Sequence, residues 1–284
     1  MLWYFPEKAV IGINAVKVYV IVNDLQGVIR MLGMILMGGY YGGYRGYGGY
    51  YGGYLSYLLF LLPAMLLGLW AQIKVKGTFN KYNRISNSRG MTGEQAARMI
   101  LDRNGLTYVK IEHISGELTD HYDPRDNVIR LSSSVYNSTS IGAVGVAAHE
   151  AGHAVQHAED YTPIKIRNAI IPACNIGSNV GPLMIIIGCL FAGTFGKSLI
   201  FFGILLFSLV ALFQLVTLPV EFDASGRALS VIRDSGIFDE QDYKGAKKVL
   251  SAAAMTYVAA LVTTISQIIY YAVRFLGVGH NRDE

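Results

Sequence analysis

The sequence predicts a mainly α-helical membrane protein, with about four transmembrane helices and a small α+β domain built between them. Three observations carry that reading. The chain of 284 residues is 52% hydrophobic and only 15% charged, with a mean hydropathy of +0.35, whereas a soluble domain usually carries about 25% charged residues. Apolar stretches of spanning length occur at 55–73, at 176–220, where the run is long enough to cross twice, and at 252–276. Between the first two lies His149-Glu150-Ala151-Gly152-His153, an H-E-x-x-H motif inside the alanine-rich stretch Ile141 to Ala158.

The motif sets the chemistry. On a helix, His149 and His153 stand four apart on one face. Two neutral imidazoles so placed can bind one Zn²⁺, and Glu150 between them can poise a metal-bound water for attack. Average residue usage gives an accidental match in a chain this long odds of about one in a hundred. The net charge is +4, with no basic cluster dense enough for a nucleic-acid partner. Cys174 and Cys189 lie in or beside apolar runs, and their spacing fits neither a disulfide framework nor a metal site.

Residues 1–37 receive no assignment. Ala9 to Val22 is interrupted by Lys17, and Val28 to Met37 is shorter still. Neither reaches the ~20 apolar residues of a spanning helix, and no signal-peptide order of regions is present. Two readings stand for this segment: an amphipathic surface segment, or a natural start nearer Met31, Met34 or Met37, which closely precede the next feature. Residues 38–54 are glycine and tyrosine apart from Arg45, which reads as a flexible tail. Its tyrosines suit the lipid headgroup level.

Residues 55–73 form the first expected span. Lys74, Lys76, Lys81, Arg84 and Arg89 follow at once, which places that end in the cytoplasm under the positive-inside rule. Residues 74–175 then make a cytoplasmic domain. Thr92-Gly93-Glu94-Gln95 has capping-box spacing and starts a helix that Asn104-Gly105 ends. Strands are expected at Leu106 to Ile111, at Leu118 to Asp120 and at Asn127 to Leu131, the last two separated by the turn Asp123-Pro124-Arg125-Asp126. A peptidase must hold an extended substrate, usually on the edge of a sheet. Val128, Ile129, Arg130 and Leu131 are the candidate edge strand. Ser138, Thr139 and Ser140 are candidate N-caps for the motif helix. His157 continues its i+4 series. It lies about 12 Å from His149 along a straight helix rising 1.5 Å per residue, so it is read as a polar neighbour of the site and not as a third ligand.

The apolar run 176–220 predicts a transmembrane hairpin with a break at Gly196-Lys197. It returns the chain at Glu221, the first acidic residue after the run. Two histidines, a glutamate and a water are a standard catalytic zinc set, so Glu221 is the expected third ligand, with Asp223 the alternative. Residues 221–251 complete the domain, 252–276 form a fourth span, and 277–284 are a short tail.

AVGVAAHEAGHAVQHAEDY, the apolar hairpin and LPVEFDAS-RAL resemble the prokaryotic membrane zinc metallopeptidases called YugP-like. LWAQIKVKGTFNKY is similar to that family's opening. The resemblance covers roughly Leu55 to Leu276. Motif order is more distantly similar to the heat-shock membrane proteases and CAAX prenyl proteases, which are gluzincins. The resemblance implies a gluzincin-like catalytic domain, His149, His153 and Glu221 as ligands of one Zn²⁺ per chain, and Glu150 as general base. The distant relatives carry E-x-x-x-D, whose aspartate orients a ligand histidine; here that position is Ser225. His157, Asp223, Ser225 and Arg227 are the candidate polar partners around the ligands.

The expected function is zinc endopeptidase activity at the cytoplasmic face of a multi-pass cell-membrane protein, with the lipid bilayer and a membrane or membrane-proximal polypeptide as partners. The competing reading is a non-proteolytic zinc-binding membrane scaffold. A transporter would need ionisable residues inside the spans, and these spans contain essentially none.

Overall fold

A computed structural model describes residues 48–191 and 193–276, with side chains for 61–191 and 193–275. The expectations for 1–37, for a start near Met31 to Met37, for tail residues 38–47 and for 277–284 lie outside the described residues. Among the described residues the protein is mainly helical, with one small sheet. They form two compact units: one takes in 70–168 and 216–258, the other the described parts of 20–69, 169–215 and 259–284.

The first helix, α1 (Gly48–Tyr82), contains the expected span 55–73. It begins inside the stretch expected to be a flexible tail. Adding a residue to an existing helix gains one hydrogen bond for one residue fixed, so elongation is far easier than nucleation.

In the first unit the capping box forms as its spacing predicts. Thr92 accepts from Gln95 N, the Gln95 side chain accepts from Thr92 N, and helix α2 (Gly93–Arg103) follows. Its Ala96, Ala97, Ile100 and Leu101 are buried, and it ends at Asn104 with Gly105 at φ 71°. Three short strands come next: β1 (Lys110–Ile114), β2 (His121–Asp123) and β3 (Val128–Ser132). The first two start later than their apolar content suggests. Leu106 N–H instead bonds back to Leu101 and Val109 N–H to Leu106, so 106–109 turn. Gly116 at φ 110° and Leu118 at φ 53° turn the chain again before β2.

The strand order is β1-β3-β2, with β3 parallel to β1 and antiparallel to β2. This corrects the expected substrate edge. Val128, Ile129, Arg130 and Leu131 lie in the central strand, whose backbone groups pair on both sides, so β3 has no free edge to offer a peptide. Arg130 instead ties the sheet's acids together, reaching Asp123 at 3.0 Å, Asp126 at 2.8 Å and Glu112 at 3.4 Å.

Helix α3 (Ile141–Ala158) follows, capped by Ser140, whose hydroxyl accepts from Ala143 N. Its residues are buried from Ile141 through Gln156, so it is the central element of this unit. Helices α4 (Thr162–Leu190), α5 (Gly193–Asp234) and α6 (Glu240–Leu276) complete the chain. The stretch of α5 from Val216 and that of α6 to Val258 belong to the first unit.

Glycine sets how closely α3 and α5 approach. A Cβ on Gly152 would lie 2.6 Å from the Ala224 carbonyl oxygen, a backbone atom that cannot swing away. Gly152→Ala is therefore expected to force the two helices apart at a cost of about 1–3 kcal/mol, typical of overpacking. Thermal unfolding of the detergent-solubilised protein measures it, and an unchanged midpoint would refute this close packing.

The second unit consists of the remaining portions of α1, α4, α5 and α6. Helix α4 ends at Leu190 and α5 begins at Gly193, ahead of the break expected at Gly196-Lys197; Gly193 takes φ 78°, a left-handed conformation that glycine tolerates. A Cβ on Gly181 would meet the Gly203 carbonyl oxygen at 2.8 Å, so glycine lets the two helices approach backbone to backbone here. Phe207 and Tyr271 are buried within the unit, while Leu183, Leu190, Phe202, Leu205 and Val273 are exposed. Among the described residues, three helices are long and apolar enough to cross a membrane: Thr162–Leu190, Gly193–Asp234 and Glu240–Phe275.

Candidate active site

The site is assembled in the first unit where α3 meets α5. Helix spacing puts His149 and His153 on one face of α3, with ring centroids 4.6 Å apart. Glu221 from α5 reaches between them: its Oε2 is 3.3 Å from His149 Nε2 and 3.6 Å from His153 Nε2. All three side chains are buried, and their potential ligand atoms lie within 4.8 Å of one another. Each of His149 Nε2, His153 Nε2 and Glu221 Oε2 is without a hydrogen-bond partner. Orphaned buried polar atoms are costly. Three that converge, two imidazole nitrogens and a carboxylate oxygen, are a donor set that fits zinc. Asp223, the alternative ligand, points elsewhere, accepting from Gln156 Nε2 at 2.7 Å and Arg227 Nε at 2.6 Å.

Glu150 stands beside this cluster and is fully buried. Its Oε2 accepts the Tyr122 backbone N–H at 3.1 Å, while its Oε1 has no partner. Burial pushes its carboxyl well above the usual carboxylate range; the charges of Asp120 and Glu221 push the same way, and the Tyr122 amide opposes them. Burial pulls His153 below the usual imidazole range, opposed by Glu221. A neutral imidazole with a free nitrogen is the form that binds metal.

The polar surroundings divide. Ser225 Oγ is 3.1 Å from His149 Nδ1, the place its position in the motif implies. Asp223 and Arg227 reach the site through a residue that the spacing did not single out. Gln156 Oε1 is 3.0 Å from His153 Nδ1, and its Nε2 donates to Asp223 and to Val220 O. Arg227 Nη1 continues the chain to Glu159 at 2.6 Å. His157 is exposed and packs edge-on against Tyr122 at 6.0 Å between centroids, away from the donor atoms.

Three further groups escaped sequence reasoning. Asp120 is buried on the Ser132 N–H at 2.7 Å and its hydroxyl at 2.9 Å. Arg167 is buried, with Nη1 3.7 Å from Glu221 Oε1 and no partner for Nε. Tyr257 is buried, and its hydroxyl has no hydrogen-bond partner within ordinary geometry. Gln156 carried a usable signal, standing three residues after His153 on the same helix face. Arg167 and Tyr257 carried none, being single residues in mostly apolar stretches.

The model of a family described as "Putative neutral zinc metallopeptidase" matches residues 57–276. The chain is 46% identical over 223 residues to the "Putative membrane protease YugP" of Bacillus subtilis (strain 168), an alignment that covers 78% of this chain and 96% of that protein. No solved structure matches. The matched span takes in H-E-x-x-H, Glu221 and every helix from α2 to α6, and the chain belongs to this family, with the YugP protein as a relative.

Proposed function

We propose that the protein is a multi-pass membrane zinc endopeptidase with a gluzincin-type site, acting on membrane or membrane-proximal polypeptides. The observation that carries the reading is the convergence of three orphaned buried donor atoms beside a buried glutamate whose Oε1 is also unpartnered. A zinc scaffold without activity would have no use for that second carboxylate, whose burial without a full set of partners is destabilising. The family match and the relative's name as a membrane protease support the same class.

In this reading His149 Nε2, His153 Nε2 and Glu221 Oε2 hold one zinc ion per chain. When bound, zinc supplies a Lewis acid that polarises the scissile carbonyl and acidifies water. Glu150 Oε1 accepts a proton from the attacking water and delivers it to the leaving amine. The Tyr122 N–H keeps that carboxylate aimed by holding its other oxygen. Residues 55–73 act as a fourth span, beyond the three above. The basic run from Lys74 to Arg89 sets residues 74–175 and 221–251 on the cytoplasmic face.

The test is hydrolysis of unfolded polypeptides by the purified protein in nanodiscs. Cleavage should cease on treatment with 1,10-phenanthroline and return with zinc, and the thermal midpoint should fall with metal removal because zinc binds only the folded site. Cleavage that persists in metal-free protein would sink the proposal.

A further inference from the structure

Gln156 is completely buried, although it belongs to neither the H-E-x-x-H pair nor the Glu221 segment. Its amide has one acceptor end and one donor end, and its surroundings decide which faces where. Two groups adjoin the nitrogen end: the Val220 carbonyl at 2.8 Å and Asp223 Oδ2 at 2.7 Å. The carbonyl can only accept. Asp223 Oδ2 accepts from Arg227 Nε as well, and Arg227 is paired in turn with Glu159. Turning the amide over would set its oxygen against two acceptors at hydrogen-bond distance. The orientation is therefore fixed, and Gln156 Oε1 faces His153 Nδ1 at 3.0 Å.

An amide oxygen cannot donate, so His153 Nδ1 must carry the proton. A neutral imidazole protonated at Nδ1 has its lone pair on Nε2, the atom 3.6 Å from Glu221 Oε2. The same amide fastens the backbone of Val220, the residue before Glu221. One side chain on α3 thus sets the tautomer of one ligand and tethers the carrier of another. His149 has no equivalent device. Its Nδ1 neighbour is the Ser225 hydroxyl, which donates or accepts as required and selects no tautomer.

We propose that Gln156 is the positioning residue of the metal site, presetting His153 as the Nδ1–H tautomer through a chain anchored by Asp223, Arg227 and Glu159. The inference rests on the zinc-site reading above. Outer partners of this kind fix ring orientation and ligand basicity.

The experiment uses the full chain in nanodiscs, stripped of metal and titrated with zinc against a competing chelator. Gln156→Met keeps the side-chain volume and removes both ends of the amide. Its zinc affinity should fall about 10–100-fold, the usual cost of losing such a partner, and the visible spectrum of its Co²⁺ form should change. The ¹⁵N resonances of the His153 ring in the metal-free protein report the tautomer directly. Wild type should carry its proton on Nδ1, and Gln156→Met should lose that preference, which a purely structural role for Gln156 would not predict. Wild-type affinity in Gln156→Met, or a neutral His153 protonated at Nε2 in metal-free wild type, would overturn the proposal. If Gln156→Met does not fold, as judged by loss of a thermal transition, the wild-type ring resonances decide alone: a proton on Nδ1 supports the proposal and one on Nε2 overturns it. His153→Ala serves as the control for the underlying reading, and zinc binding equal to wild type in that variant would overturn both.

Discussion

Glu150→Gln is expected to keep zinc and lose hydrolysis by about 10²–10⁴-fold, the contribution of a positioned general base. The substitution preserves shape, and its amide oxygen can still accept the Tyr122 N–H that now holds Oε2 at 3.1 Å. What disappears is a lone pair able to take a proton at the Oε1 position. The three ligand atoms come from other side chains, so metal content should match wild type. Stability should move the opposite way to activity. Burial holds the Glu150 carboxyl well above its ordinary value of 4.5. In metal-free protein the folded state therefore keeps a proton that the unfolded state has released. Its contribution is complete below the ordinary value and declines as pH rises towards the folded-state value. Glutamine has no such dependence, so the gap in thermal midpoint in favour of Glu150→Gln should widen as pH rises from about 4.5. Metal analysis, steady-state hydrolysis and unfolding across pH measure the three effects. Wild-type turnover in the variant would reject Glu150 as the base.

Much of this site can be read locally. H-E-x-x-H fixes two ring positions because a helix repeats every 3.6 residues, and Thr92 and Ser140 are caps whose hydroxyls act within three residues. Glu221 was reachable by a different argument, as the first carboxylate where an apolar run ends. The sheet was not reachable in the same way, because strand order depends on partners distant in sequence. Polar residues within helices were the hardest to place. Gln156, Arg167 and Tyr257 become meaningful only when α3, α4, α5 and α6 bring them against the ligands, since any one of them alone in its run is ordinary. The helical start at Gly48 reverses local propensity, because a long helix propagates into sequence that would not nucleate one.

Glu221→Ala should separate ligation from simple burial of charge. Loss of an outer partner costs about 10–100-fold in metal affinity, and loss of a direct ligand should exceed that range, with hydrolysis falling below detection. Asp223→Ala should retain zinc with a smaller loss, because its carboxylate is engaged by Gln156 and Arg227 and not by the donor cluster. The Glu221 variant also strands Arg167, whose Nη1 lies 3.7 Å from Glu221 Oε1 in a buried setting. Removing one partner of a buried ion pair costs about 3–5 kcal/mol, so the metal-free variant should unfold at lower temperature than metal-free wild type. A fall in zinc binding could then reflect a loosened fold. Adding Arg167→Met resolves this, because it removes the stranded charge while keeping much of the volume. The double variant should regain thermal stability and still fail to bind zinc. If zinc binding returns with stability, Glu221 is a structural partner of Arg167 and the third ligand lies elsewhere.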